Sequence, residues 1–388
     1  MTSTARPRDP ADLAVLVPYQ LGYHPGPSVI LTVMRGRRLG LLQRHDLHAD
    51  PTDCAAVAQR ALQIVRREDA TAVLLLAYED TAGESAPLRA AMVAAAGESG
   101  VPVQEHLLVR DGRWFAPDCH EACCPDEGHD LPSAVDVPAV AAFVHAGVAP
   151  LPSRQSLVEN VLPPRDEARA RAVGRRLEAL GRDTNRQECI DAVVHGWTRV
   201  LDPRAGASAL STMGDDELAL VTASLADVTW RDALMTVLCP GVMPTTQQES
   251  PAIDPALRAA VHCPWVDGRQ GSRGQGSHGR RVEQVGGHED HHELALTVRG
   301  RLVELIRLVP AAVSPPVLTL VAHLAWWAGD GTVTGVCLEQ ALRIDPHYRL
   351  ADLMLQLLTA GVRPWSDSDA GADAPAGGDD PGWRGSAA

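Results

Sequence analysis

The chain has 388 residues, 45% of them hydrophobic, and a net charge of −14, with arginine as its only basic residue besides histidine. That length exceeds one ordinary core and predicts two domains. The acidic balance excludes a nucleic-acid surface: the basic runs at 35–38, 175–176 and 280–281 are short and not interleaved with aromatics.

Residues 1–12 are polar, with no apolar stretch leading to a cleavage site, so no signal peptide is expected. The longest apolar run, 317–328, falls short of the roughly 20 residues of a membrane span. The expectation is a cytoplasmic protein with no membrane partner, in a compartment where the eight cysteines stay reduced. Aromatics are only 4% of the chain, so its cores must rest on Ala, Val and Leu.

A short helix is predicted at 11–17, followed by a loop broken by Pro18, Gly22, Pro25, Gly26 and Pro27. The β-branched run 29–34, the turn 35–38 and the return 39–44 form an antiparallel hairpin. A helix follows to about residue 67, capped at Thr52 or Asp53. Residues 72–78 are uninterrupted apolar positions, the pattern of a central strand covered on both faces. A helix at 87–98, a strand at 103–109, the turn pair Asp111-Gly112 and a returning strand at 113–115 complete the set. A helix at 137–146 closes the region.

From Pro152 the strand signals stop. Helices are predicted at 164–180, 186–201, 215–226, 229–238, 255–262, 297–309 and 316–327, and the apolar stripe Leu350, Leu353, Met354, Leu357, Leu358 marks one more. The fold class is therefore α/β followed by all-α: a layered mixed-sheet domain at 1–150, then a helical domain at 151–362. A Gly/His-rich stretch at 267–292 reads as a flexible insertion, and 363–388 as a disordered acidic tail.

The most distinctive chemistry lies in the loop 119–129. Cys119, Cys123 and Cys124 fall within six residues, with His120 and His129 close by. Thiolates with imidazole are the usual zinc donors, so Cys119, Cys123, Cys124 and His129 (or His120) are the candidate metal ligands. The spacing is not that of a two-residue knuckle, and a redox pair or plainly packed thiols stand as alternatives. A second candidate, for a small anion or nucleotide, is Tyr19, His24, Ser28, Arg44 and Asp46 at the rim of the sheet; a surface ion pair and a capped turn are the structural alternative. A third, His288-Glu289-Asp290-His291-His292, has a zincin-like pattern but glycine-rich surroundings, and reads as adventitious.

Several ordered segments together resemble an actinobacterial domain-of-unknown-function family, number 4192. They are residues 17–25 with Ser28, 44–47, 114–125 with its Cys-Cys-Pro, 152–154, Arg231-Asp232, 326–331 and 345–351. At Pro27 the chain departs from the pattern, which has an acidic residue before Ser28. The resemblance spans about 10–362 and implies the domain extent and a bacterial cytosolic setting; it implies no reaction. The closing segment is also similar to one tetratricopeptide-type helix pair, with Gly329, Ala341, Asp345-Pro346 and Ala351 near that repeat's spacing.

Two functions follow as expectations. The first is a non-catalytic accessory or interaction protein with a structural zinc loop. The alternative is a small-molecule or nucleotide-processing enzyme using the sheet rim. The partner, protein or small molecule, is open.

Overall fold

The computed structural model describes residues 7–364 except 37, 49, 120, 122, 146, 181–186, 203–208, 240–251 and 262–287. It divides into two compact units, one ending at Leu157 and the other starting at Val158. Most of the predicted insertion, and the tail after 364, lie outside the described residues.

In the first unit, helix α1 (Pro10–Leu21) leads into the hairpin β1 (Ser28–Arg35) and β2 (Arg38–Asp46). Helix α2 (Pro51–Arg67), strand β3 (Ala72–Tyr78), helix α3 (Ala86–Glu98) and strand β4 (Val103–Arg110) follow. Strands β5 (Arg113–Phe115) and β6 (His129–Asp130) and the short helix α4 (Val140–His145) come next. The sheet order is β2-β1-β3-β4-β5-β6, with β3 and β4 parallel and the other neighbours antiparallel. Every residue of β3 is buried, as its unbroken apolar run requires.

The two faces of the sheet are covered by different helices. Val29, Leu31, Val73, Leu75 and Ala77 pack with Leu62 of α2 and Met92 of α3. On the other face, Met34, Ala72 and Leu74 pack with Leu13 of α1. This split is the period-two alternation of the strands.

Three local departures have physical causes. Helix α1 does not stop before Pro18 but runs through it to Leu21, ending at Gly22 with φ 78°. The carbonyl that Pro18 cannot serve, Ala14, is instead taken by the Tyr78 hydroxyl at 2.9 Å. Helix α2 begins earlier than a cap at Thr52 would place it, with Asp50 as its cap at 2.7 Å from the Thr52 amide and Pro51 at the first position. Helix α5 (Arg154–Val161), absent from the sequence reading, is capped by Ser153, whose hydroxyl accepts from the Ser156 amide.

Helices α6 (Glu167–Leu180), α7 (Gln187–Leu201), α8 (Asp215–Ser224), α9 (Val228–Leu238) and α10 (Ile253–Ala260) occupy the predicted places in the second unit. Helix α11 (His288–Leu308) starts nine residues before the predicted 297 and so takes in 288–292, the end of the stretch read as flexible. Helices α12 (Pro315–Trp327), α13 (Gly331–Ile344) and α14 (Arg349–Thr359) complete the unit. Helix α12 is buried nearly all round, as its composition predicts. Beside Gly331 and Gly335 of α13 the Leu358 side chain of α14 lies within 3.7 Å of where a Cβ would stand, ordinary van der Waals contact between the paired helices. Among the described residues no helix is long and apolar enough to cross a membrane.

Candidate metal centre

The cysteine loop is held at both ends by the sheet. Asp111 and Gly112 turn β4 into β5 with φ values of 52° and 70°, the left-handed pair of a tight hairpin. Strand β6 then returns beside β5, with Trp114 opposite His129. The Arg113 guanidinium clamps this return, donating to the carbonyls of Glu127 (2.6 Å) and Gly128 (2.7 Å) and to the Asp130 carboxylate (2.7 Å). Within the loop, turn bonds run from Cys119 to Ala116, Cys124 to Glu121 and Gly128 to Pro125.

These turns bring three sulfurs together. The Cys119 and Cys123 sulfurs are 3.8 Å apart, Cys123 and Cys124 are 3.9 Å apart, and all three lie within 4.8 Å of one another. The thiols are free. A hydrogen bond from the Glu121 backbone, with a further one from Cys124, holds the Cys119 thiol below its ordinary value. Burial pushes Cys124 up to about 12, reinforced by the two neighbouring sulfurs. The cluster therefore offers one thiol that ionises more readily than an ordinary cysteine and one that ionises less readily.

His129 is placed otherwise than as a simple fourth ligand. Its Nε2 lies 2.8 Å from the Cys123 carbonyl, to which it must donate, and its ring stacks on Trp114 at 4.7 Å between centroids. It braces the loop through these two contacts. His120, the other histidine considered, lies outside the described residues.

A cleft of about 240 Å³ is lined by Cys119 and Cys124 together with Arg89 of α3. Arg89 belongs to a polar chain running beneath α3. Its Nε donates to the Ser85 hydroxyl (2.8 Å), and its Nη1 donates to His106 Nε2 (3.1 Å). Because the guanidinium can only donate, His106 accepts there and carries its proton on Nδ1, which faces Asp118 at 2.8 Å. Burial pushes the His106 imidazole down against the opposing pull of Asp118, which fits this neutral form.

Ser85 in turn reaches Glu79, whose carboxylate also accepts from the Ser85 and Gly83 amides and from Arg110. Burial alone would raise the Glu79 carboxyl; those hydrogen bonds outweigh it and hold the group below its ordinary value. Sequence reading does not single out Arg89, His106 or Asp118. The signal available was a histidine interrupting an apolar strand.

The rim residues are dispersed in their roles. Arg44 and Asp46 pair with each other at 2.7 Å, and Ser28, fully buried, donates to the Gly26 carbonyl. Asp46 and Ser28 are partners in register across β1 and β2. Tyr19 lies against Phe143, and the His24 amide bonds to the Leu151 carbonyl. Residues 288–292 form the first turns of α11.

No curated protein and no solved structure matches the chain. A family model described as "Domain of unknown function (DUF4192)" matches residues 10–252 and 289–365. With most of both units inside that match, the chain belongs to the DUF4192 family.

Proposed function

We propose that this is an accessory protein whose first unit binds one zinc-class ion through Cys119, Cys123 and Cys124, in a compartment that keeps thiols reduced. One observation carries the reading. Sulfurs about 2.3 Å from a tetrahedral ion stand about 3.8 Å apart. The Cys119–Cys123 and Cys123–Cys124 separations are 3.8 and 3.9 Å. Two of the three separations thus match those of a bound site and the third lies within 4.8 Å, which supports the reading, and soft thiolate donors favour zinc over magnesium or calcium.

The described residues would supply three of four positions, and solvent would take the last. The ion would join the two turns of the loop 119–128, a structural task suited to an interaction surface. Helix α14 of the second unit supports the interaction half of the reading, since it leaves Leu353 and Leu357 more than two-fifths exposed.

Elemental analysis with thiol titration of the purified chain tests the metal. One zinc per chain, lost in Cys119→Ser/Cys123→Ser with three thiols becoming reactive on chelation, supports the proposal. A folded protein with no zinc and freely titrating thiols sinks it. Cobalt substitution gives a second readout, because thiolate-to-cobalt charge transfer appears only if the sulfurs ligate.

A further inference from the structure

We infer that the cleft between Arg89 and the cysteine loop is a binding site for a small carboxylate with an apolar body. Its lining is divided. Leu108, Phe115 and Pro125 give it an apolar wall, Cys119 and Cys124 close one side, and Arg89 is its cation. At about 240 Å³ it is smaller than the pockets of roughly 300–1,000 Å³ that hold drug-sized ligands, so the occupant is compact.

The Arg89 guanidinium carries the argument. It has five N–H donors, and its two hydrogen bonds here go to neutral partners, Ser85 and His106. Among the described residues it makes no ion pair. The two carboxylates that act on it from further off are committed elsewhere: Glu79 to Arg110 and the Ser85 and Gly83 amides, Asp118 to His106. Burial pushes the guanidinium down, so an acid in direct contact would relieve it. Asp126 also lines the cleft, but it is exposed to water and does not neutralise the interior.

The planar fork of arginine matches a carboxylate in a two-point pairing. One charge facing one guanidinium, with apolar walls around the remainder, suits a monocarboxylate. A phosphate would bring further charge with no second guanidinium among the described lining residues to meet it. The site adjoins the sulfur cluster but does not depend on a metal there.

The test is calorimetric titration of the full-length chain, as purified and after adding one equivalent of zinc, with benzoate, benzamide and inorganic phosphate. Benzoate is expected to saturate one site, with benzamide at least tenfold weaker, and to slow alkylation of Cys119 in the chelated chain. Arg89→Gln is expected to weaken benzoate at least tenfold while leaving zinc stoichiometry unchanged. Benzoate binding in either metal state supports the site. Absence of binding in both, equal affinity for benzamide, tighter binding of phosphate, or unprotected Cys119 overturns it. If Arg89→Gln does not fold, the benzoate–benzamide comparison on the unaltered chain decides. Zinc without benzoate defeats the carboxylate site alone, and benzoate without zinc defeats the metal alone.

Discussion

The Tyr78 hydroxyl donates a 2.9 Å hydrogen bond to the Ala14 carbonyl, the acceptor that Pro18 leaves without its helical donor. The pairing joins the central strand to the helix on its face and explains how α1 continues through a proline. Burial pushes the Tyr78 phenol well above its ordinary value, so it stays a donor at any working pH. Tyr78→Phe leaves a buried carbonyl unpaired and should cost about 1–3 kcal/mol in chemical denaturation. In a Pro18→Ala background the backbone amide gained at that position serves the carbonyl, so the cost of Tyr78→Phe should shrink. Equal costs in both backgrounds would refute the pairing as the reason for the helix's continuation.

The same pair shows what the sequence made legible. Residues 72–78 announce a central strand because seven apolar positions admit no solvent face, and the strand spans those residues. Pro18 announced a break because a local rule was applied, whereas the compensating donor lies 64 positions away. The cysteine loop is legible as chemistry, since three thiols lie within six residues, but its spacing is not that of a two-residue knuckle. Turn bonds from Cys119 to Ala116 and Cys124 to Glu121 bring the three sulfurs near one another, and spacing alone does not encode them. Arg89 and His106 come from different elements and meet only once α3 lies over β4.

Glu105 of β4 is buried on the α1 face beside a cavity of about 20 Å³, room for a single water, lined also by Gln20, Thr32 and Leu74. Among the described residues its Oε1 has no hydrogen-bond partner, and burial pushes its carboxyl up to about 7. The folded state therefore binds more protons than the unfolded state between pH 4.5 and about 7. Stability contributed by this group is present below 4.5 and falls as pH rises to about 7, by about 1–3 kcal/mol. Glu105→Gln should flatten that part of the stability–pH curve and stabilise the protein at pH 8. An unchanged slope in denaturant titrations across this range would show that Glu105 ionises without penalty.

Gly128 sets the exit of the cysteine loop. Its φ is 70°, and a Cβ there would stand 2.6 Å from the Phe115 ring and 2.8 Å from the Trp114 carbonyl. Gly128→Ala thus meets both a left-handed backbone and a rigid obstacle, so β6 must shift from β5. The expected loss is about 1–3 kcal/mol of stability, with weaker zinc binding as the loop opens. Competition with a chromophoric chelator measures the affinity; wild-type affinity together with wild-type stability would mean that the loop closes without this approach.

His129 separates a ligand from a brace. Its Nε2 donates to the Cys123 carbonyl and its ring rests on Trp114, so it orients the sulfur-bearing backbone, and in the proposed site it stands outside the donor set. Groups that orient ligands in this way typically change metal affinity by about 10–100-fold when removed. His129→Ala should therefore keep one zinc per chain at saturating metal and lower affinity within that range. Trp114→Leu, which removes the stacking partner, should act in the same direction and by less. Cys124→Ser removes a donor and should cost more than either. If His129→Ala instead abolishes zinc while Cys124→Ser retains it, the donor set is Cys119, Cys123 and His129. The Cys124 sulfur, 3.9 Å from Cys123, would then be a neighbour of the site and not part of it.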